Sequence, residues 1–166
     1  NILSIAAAGN AGNSSMSYPA GYSSVVSVGA IDEYKQWASF SQYNSKVELA
    51  GPGVNVYSTV PTSKGKYGYK SGTSMATPHV TGAVAVLLQR FPYMSSAQIA
   101  DVLKTTATDM GAPGIDALYG WGMINLGKAI NGPGMLVTAE DIPEEFRIPD
   151  PTGVAYGPTQ FVVDLP

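Results

Sequence analysis

The segment GTSMATPHVTG at residues 72–82 places a serine between a glycine turn and a long apolar run. We expect a buried helix over residues 74–90, because the run from residue 80 onward is apolar almost all round. Ser74 then lies at the start of that helix, where unpaired backbone N–H groups and the helix dipole favour a developing negative charge. Such a position suits a nucleophilic serine, although a serine there can also serve simply as the helix N-cap.

A serine nucleophile needs a base, and the sequence contains a single histidine, His79. Five helical positions rotate a side chain by about 140°, at roughly 100° per residue. Side chains three or four positions apart share a helix face, whereas those five apart do not. We therefore expect His79 to point away from Ser74, as a core histidine with satisfied hydrogen bonds. A Ser–His pair cannot then be completed within this chain.

The segment around Ser74 resembles the signature of the nucleophilic serine in the subtilisin-like serine proteases, the subtilases. Four further blocks resemble the family and come in its order: AAAGN at residues 6–10, YP and VVSVGA within 18–30, AGPGV at 50–54 and YGWGMIN at 119–125. Subtilases carry their triad in the chain order Asp, His, Ser. The resemblance therefore implies that the chain is the C-terminal half of a catalytic domain, with the Asp and His supplied by an N-terminal half of the same protease.

The resemblance assigns the chemistry to two residues. Ser74 would attack a peptide carbonyl and form an acyl-enzyme. The Asn10 side-chain amide would donate a hydrogen bond to the resulting oxyanion, and the Ser74 backbone N–H would be the second donor. An asparagine after a glycine is otherwise most often a turn residue, so the role of Asn10 rests on the resemblance.

Further residues resemble the substrate pocket and a cation site. Ala7, Ala8 and Gly9 resemble one wall of the primary specificity pocket. Ser17 stands where the family commonly has the glycine of the pocket floor, so it should make the pocket shallower; the alternative is an ordinary loop serine. No cofactor is required, but some relatives have a weak calcium or monovalent cation site that corresponds to the backbone carbonyls of Ala20, Tyr22 and Val25.

The hydrophobic pattern predicts an α/β fold in which a parallel sheet is flanked by helices, as in subtilases. Strands are expected at residues 2–8, 25–31, 47–50, 54–60 and 67–70. A helix should begin at the capping box formed by Ser95 and Gln98 and end near Gly111. A last short helix is expected over residues 126–130.

Composition restricts the function classes. Charged residues make up 13% and hydrophobic residues 45% of the chain, so we expect some of its faces to be covered by another element. There is no cysteine for a disulfide and no run of about 20 apolar residues for a membrane helix. Nucleic-acid binding has no support, because no basic patch is interleaved with aromatic residues.

Charge and proline content change near residues 131–134, where we place a boundary. Residues 138–166 carry one Arg and six Asp or Glu, whereas residues 1–137 carry eight Lys or Arg and six Asp or Glu. Residues 1–131 are expected to be the half-domain, and residues 132–166 an acidic, proline-rich linker or the start of a following domain. The ending resembles subtilases of Gram-negative autotransporters.

Three functions stay open from the sequence. The first is a serine endopeptidase, secreted or at the bacterial cell surface, that acts on proteins or peptides once its N-terminal half is present. The second is a pseudoprotease or binding module with an incomplete site. In the third, residues 132–166 attach a protease domain to a surface stalk. Upstream Asp and His motifs would favour the enzyme, and their absence would favour the second function.

Overall fold

A computed structural model describes residues 2–131, together with the backbone of two short strands further along the chain. Its centre is a parallel sheet of three strands, β1 (Ser4–Ala7), β2 (Val25–Ile31) and β3 (Val47–Pro52), in the order β1-β2-β3. All seven residues of β2 are buried, whereas β1 is partly exposed. The predicted parallel sheet is therefore confirmed, with β1 pairing along one of its edges in the described part of the chain.

An antiparallel hairpin leads from the sheet to the main helix. It consists of β4 (Val56–Thr59) and β5 (Tyr67–Lys70), joined through a short 3-10 helix at Thr62–Lys64. The chain then returns to the sheet, where the Gly72 N–H donates to the Gly53 carbonyl at 2.8 Å. This bond fixes the start of the main helix beside the carboxyl end of β3.

Helix α1 (Thr73–Arg90) packs one face against the sheet, with Ala76, Val80, Ala83 and Leu87 in the same core as β2 and β3. We expected this helix to be buried all round, and that expectation was wrong. Val86 and Leu88 are 38% and 42% exposed. The elements of residues 2–131 cover one side of α1, so its second apolar face is left open.

Two further helices complete the described chain. α2 (Ser96–Thr105) has the predicted capping box, in which Ser95 Oγ accepts from the Gln98 N–H and Gln98 Oε1 accepts from the Ser95 N–H. α2 ends at Thr105 and not near Gly111, as had been predicted. The helix cannot continue because Thr108 forms backbone hydrogen bonds with Met123 instead. α3 (Leu126–Ile130) has the predicted bounds.

The segment after residue 131 lies outside the described residues, apart from the backbone of β6 (Val137–Thr138) and β7 (Gln160–Phe161), which pair antiparallel. The boundary placed near residues 131–134 thus stays a prediction. Among the described residues, no helix is both long enough and apolar enough to cross a membrane.

Candidate active site

Ser74 is the second residue of α1. Gly72 occupies the N-cap position and Thr73 begins the helix, so Ser74 is not the N-cap and the simple capping interpretation is wrong. The Ser74 side chain is exposed, and within residues 2–131 its hydroxyl has no hydrogen-bond partner. An exposed hydroxyl in the first turn of a helix is accessible to a substrate and lies in the positive field of the helix dipole.

Asn10 is held against the start of the same helix. Its Oδ1 accepts from the Thr73 backbone N–H at 2.8 Å and from the Thr73 hydroxyl at 2.9 Å. Because Oδ1 is occupied by these two donors, Nδ2 is the end of the amide left for an external acceptor. The structure thus brings Asn10 and Ser74, which are 64 positions apart in the sequence, to one helix terminus. The two bonds that Asn10 Oδ1 accepts from Thr73 orient the amide, so that Nδ2 is the donor left for a substrate.

Thr73 is the residue that joins the two segments, and it was not among the residues predicted from sequence motifs. Its side chain is fully buried. Its hydroxyl donates to Asn10 and accepts from the Gly9 N–H at 3.2 Å, so it fixes both residues of the loop after β1. The only local sign of this role is that a hydroxyl residue directly precedes Ser74. The hydrogen-bond partners of Thr73, Asn10 and Gly9, are 63 and 64 positions away in the sequence.

Gly9 and Ser17, both predicted for the substrate pocket, are brought together by Gln42, a second residue that no sequence motif indicated. The Ser17 hydroxyl donates to Gln42 Oε1 at 3.0 Å, and Gln42 Nε2 donates to the Ser15 carbonyl at 2.6 Å. The Gln42 backbone N–H donates to the Gly9 carbonyl at 2.9 Å. A Cβ on Gly9, whose φ is +114°, would overlap Gln42 Oε1, so glycine is required there.

Ala7 and Ala8 lead directly into this cluster. Ala7 is the last residue of β1, and Ala8 is buried with its N–H donating to the Val28 carbonyl at 2.9 Å. Both residues are therefore placed by the sheet, and they hold the Gly9–Asn10 loop at its carboxyl edge, the usual location of binding sites in open α/β sheets.

His79 does not lie in the core, so that prediction was wrong. It is exposed, on the same uncovered face of α1 as Val86, and its Nδ1 lies 2.9 Å from the Met75 carbonyl. Ser74 and His79 are about 140° apart around the axis of α1. Because Ser74 is itself exposed, this angle places His79 on another exposed part of the helix surface and not against the sheet. His79 lines a groove of about 330 Å³ with Met75 and Pro78, but Ser74 and Asn10 do not line it, so this groove is not where the reacting bond would lie.

Of the residues predicted for a cation site, Ala20 and Tyr22 lie in the loop between Pro19 and β2, and Val25 is the first residue of β2. The Tyr22 carbonyl accepts from the Val25 N–H at 3.2 Å. Within residues 2–131 no three histidine or acidic side chains are grouped to hold a metal ion. A cation here would depend on the backbone carbonyls of Ala20, Tyr22 and Val25, which are ligands of the type that calcium accepts.

Comparison with known proteins places these features in a family. The model of the subtilase family (peptidase S8) matches residues 1–122. An extracellular serine protease of Serratia marcescens is 51% identical over 138 residues, which cover 71% of this chain and 13% of that protein. Subtilisin BL of Lederbergia lenta is 49% identical over 124 residues, covering 75% of this chain and 44% of the relative. The chain thus spans less than half the length of these two relatives.

Solved structures agree on the fold. The psychrophilic subtilisin-like protease Apa1 from the Antarctic psychrotroph Pseudoalteromonas sp. AS-11 superposes with a TM-score of 0.74 at 22% identity, covering 78% of this chain and 63% of that one. A lanthipeptide protease superposes with a TM-score of 0.73 at 24% identity, covering 77% and 51% of the two chains. At these identities the likeness is one of fold.

Proposed function

The chain belongs to the subtilase family, and from that premise we propose that it is the C-terminal half of the catalytic domain of a secreted serine endopeptidase. The observation that carries the proposal is the Asn10 amide, held by Thr73 at the helix terminus that bears Ser74. One face of the site then supplies both a nucleophile and an oriented donor for the charge that its attack creates.

In the proposed reaction, Ser74 Oγ forms a bond to the carbonyl carbon of a peptide while its proton passes to a base. The carbonyl oxygen becomes an oxyanion and accepts from Asn10 Nδ2 and the Ser74 N–H. The carbon–nitrogen bond then breaks as the base returns the proton to the leaving amine, and water hydrolyses the acyl-enzyme in the same way. Each role follows from the general chemistry of a serine nucleophile with a base and an oxyanion site.

The base and its orienting carboxylate would come from the N-terminal half of the same protease. His79 is unsuited to be the base, because its side chain is bonded to the Met75 carbonyl on a separate face of α1. The open face of α1 and the edge strand β1 support the presence of a covering partner, since apolar helix faces and sheet edges are normally covered. An intact catalytic domain would bury both surfaces.

Secretion is supported by the relatives named as extracellular serine proteases. Attachment to the cell surface, in the manner of an autotransporter, is the finer proposal, and it rests on the resemblance of GWGMIN at residues 120–125 and NGPG at residues 131–134 to such subtilases. Fractionating a bacterial culture that expresses the parent protein, with an antibody to residues 1–131, would distinguish protease released into the medium from protease retained on the outer surface.

The proposed cation site would have a structural role. Its ligands would be the carbonyls of Ala20 and Tyr22, in the loop after Pro19, and of Val25, the first residue of β2. A calcium or potassium ion there should raise the thermal midpoint of the intact protease, because a ligand that binds only the folded state stabilises it. A midpoint unchanged by millimolar calcium, potassium or EDTA would remove the site from the proposal.

The catalytic proposal is tested on the intact parent protease with a chromogenic peptide. Ser74→Ala should abolish turnover. Asn10→Ala should lower kcat by about 10²–10³, the loss known for this type of donor from subtilisin, a member of the same family, and so not a value derived from this structure. If the pseudoprotease alternative holds, wild-type protein will show no turnover, and neither substitution will have an effect.

A further inference from the structure

We propose that the outer face of the β4–β5 hairpin is a docking surface for EDIPEEFRIPDP at residues 140–151 of this same chain, a segment outside the described residues. This outer face, called the tyrosine face here, consists of Tyr57, Tyr67 and Tyr69. The docking is independent of the catalytic steps proposed above, which use no residue of this face. Its occupant follows from the chemistry of the face, from its charge and from the length of the chain that leads to the segment.

The three tyrosines form one continuous aromatic surface. Tyr57 pairs with Tyr69 across the two antiparallel strands, and Tyr67 lies two residues before Tyr69 on the same side of the hairpin. The Tyr57 ring centroid is 4.9 Å from that of Tyr69 and 5.9 Å from that of Tyr67. The side chains of Tyr57, Tyr67 and Tyr69 are nevertheless 60%, 57% and 71% exposed. Contiguous exposed aromatic side chains are typical of an interaction site.

The hairpin also has a local excess of positive charge. Residues 56–70 contain three lysines, Lys64, Lys66 and Lys70, and no acidic residue. All three lysines are exposed, and within residues 2–131 none of them has an ion-pair partner. Lys64 and Lys66 lie in the connection that leads directly into Tyr67. The occupant of the tyrosine face should therefore be acidic, because complementary charge steers a partner and fixes its register.

Residues 140–151 have the chemistry that this face requires. They carry five acidic residues against one arginine, and three prolines at positions 143, 149 and 151. Proline favours the extended polyproline II conformation, which aromatic-lined surfaces bind because little further ordering is needed. In the docked state the proline rings would cover the tyrosine rings, and the carboxylates beside them would pair with Lys64 and Lys66.

The segment is long enough to reach the hairpin. Helix α3 packs against α1, and the 18 residues of α1 give it a length of about 27 Å. The hairpin joins the start of α1 through Ser71 and Gly72. Residues 131–146 span about 47 Å at ~3.1 Å per residue, so the middle of the acidic segment can reach the tyrosine face from the end of α3. Because the segment is tethered, its effective concentration is high and modest contacts suffice.

The test uses the intact parent protein with Ser74→Ala, so that its own activity cannot cut the segment. A glutamyl endopeptidase is added, and cleavage after Glu140, Glu144 and Glu145 is followed by mass spectrometry. Replacing all three tyrosines of the tyrosine face by threonine keeps the strand propensity of the hairpin. This change should speed cleavage by about fivefold or more, because cleavage tracks the population of undocked segment. Tyr34→Thr, at a tyrosine that is 75% exposed in the turn after β2, should leave the rate unchanged.

A second variant tests the charge without changing the tyrosines. Lys64→Gln combined with Lys66→Asn removes two positive charges, and asparagine is chosen because Lys66 has a φ of +71°, which asparagine tolerates. This variant should also be cleaved faster than wild type, with rates referred to a free peptide of residues 138–151. The difference should shrink at high salt, which screens exposed charges. Lys35→Asn, at an exposed lysine with a φ of +63°, is the matched control.

Carbodiimide cross-linking of mixed ¹⁴N- and ¹⁵N-labelled parent protein identifies the occupant. Lysine–carboxylate links between the hairpin and residues 140–151 of the same copy are expected, and their yield should fall in the tyrosine variant. Links to the segment of a second copy, links from the hairpin only to other parts of the parent protein, or equal cleavage rates in wild type and both folded variants would overturn the docking. The turnover assay on Ser74 decides the proposed function separately, because every protein in the docking test carries Ser74→Ala.

Discussion

The Thr73 hydroxyl offers a quantitative test of how the Asn10 amide is oriented. Thr73→Val keeps the shape of the buried side chain but removes two bonds, the one donated to Asn10 Oδ1 at 2.9 Å and the one accepted from the Gly9 N–H at 3.2 Å. The bond from the Thr73 backbone N–H to Asn10 Oδ1, at 2.8 Å, is retained. The substitution therefore loosens Asn10 without removing it.

The expected loss of transition-state stabilisation in Thr73→Val lies between zero and the loss that removing the whole Asn10 donor would cause. Removing an oxyanion donor costs about 3–4 kcal/mol, a value known from subtilisin and taken over from that relative. Because one of the two bonds to Asn10 Oδ1 remains, we expect Thr73→Val to cost about 1–2 kcal/mol in the transition state, or about 5–30-fold in kcat. The Gly9 N–H also loses its acceptor, so unfolding free energy should fall by about 1–3 kcal/mol.

The assay is steady-state hydrolysis of a peptide p-nitroanilide by the intact protease, with active sites counted by a phosphonate. KM should change little, because the bond to the oxyanion forms as the transition state is approached. Thr73→Ser keeps the hydroxyl and should recover most of kcat. Thr105→Val is the control, since its hydroxyl donates to the Asp101 carbonyl on the exposed side of α2. A folded Thr73→Val enzyme with wild-type kcat would refute the reasoning.

The remaining predictions concern the chain on its own. Purified residues 1–166 should show no peptide hydrolysis above the Ser74→Ala background, because the single histidine is engaged away from Ser74; turnover that depends on Ser74 would show that a base is present in this chain. The same chain should self-associate in size-exclusion chromatography with light scattering, because β1 is an edge strand and α1 has an open apolar face; a monomer with a cooperative thermal transition would contradict this.

Local patterns predicted the regular elements well. The alternation of buried runs with turn residues predicted β2 and β5 at their observed bounds, and Ser95 with Gln98 predicted the start of α2. These signals are contained within a few consecutive residues. The end of α2 was predicted too late, because it is decided by the pairing of Thr108 with Met123, which no local pattern shows.

The site was predicted only in part, and the prediction came from motif resemblance and not from local patterns of hydrophobicity. Motif resemblance identified Ser74 and Asn10, which the structure brings to one helix terminus. It did not identify Thr73 or Gln42, whose roles depend on hydrogen bonds across 25 to 64 positions of sequence. The apolar sequence of α1 indicated that most of the helix surface should be buried. It did not indicate which side of the helix is covered by the rest of this chain and which side is left exposed.

The central claim is that Ser74 is the nucleophile of the intact protease. Incubating that protein with a peptidyl phosphonate, followed by digestion and mass spectrometry, should give a single adduct on the peptide that contains Ser74. The Asn10→Ala variant should give the same adduct at a rate lower by about 10²–10³, in line with the loss of the oxyanion donor. An active enzyme whose adduct lies on another residue, or whose activity survives Ser74→Ala, would contradict the central claim.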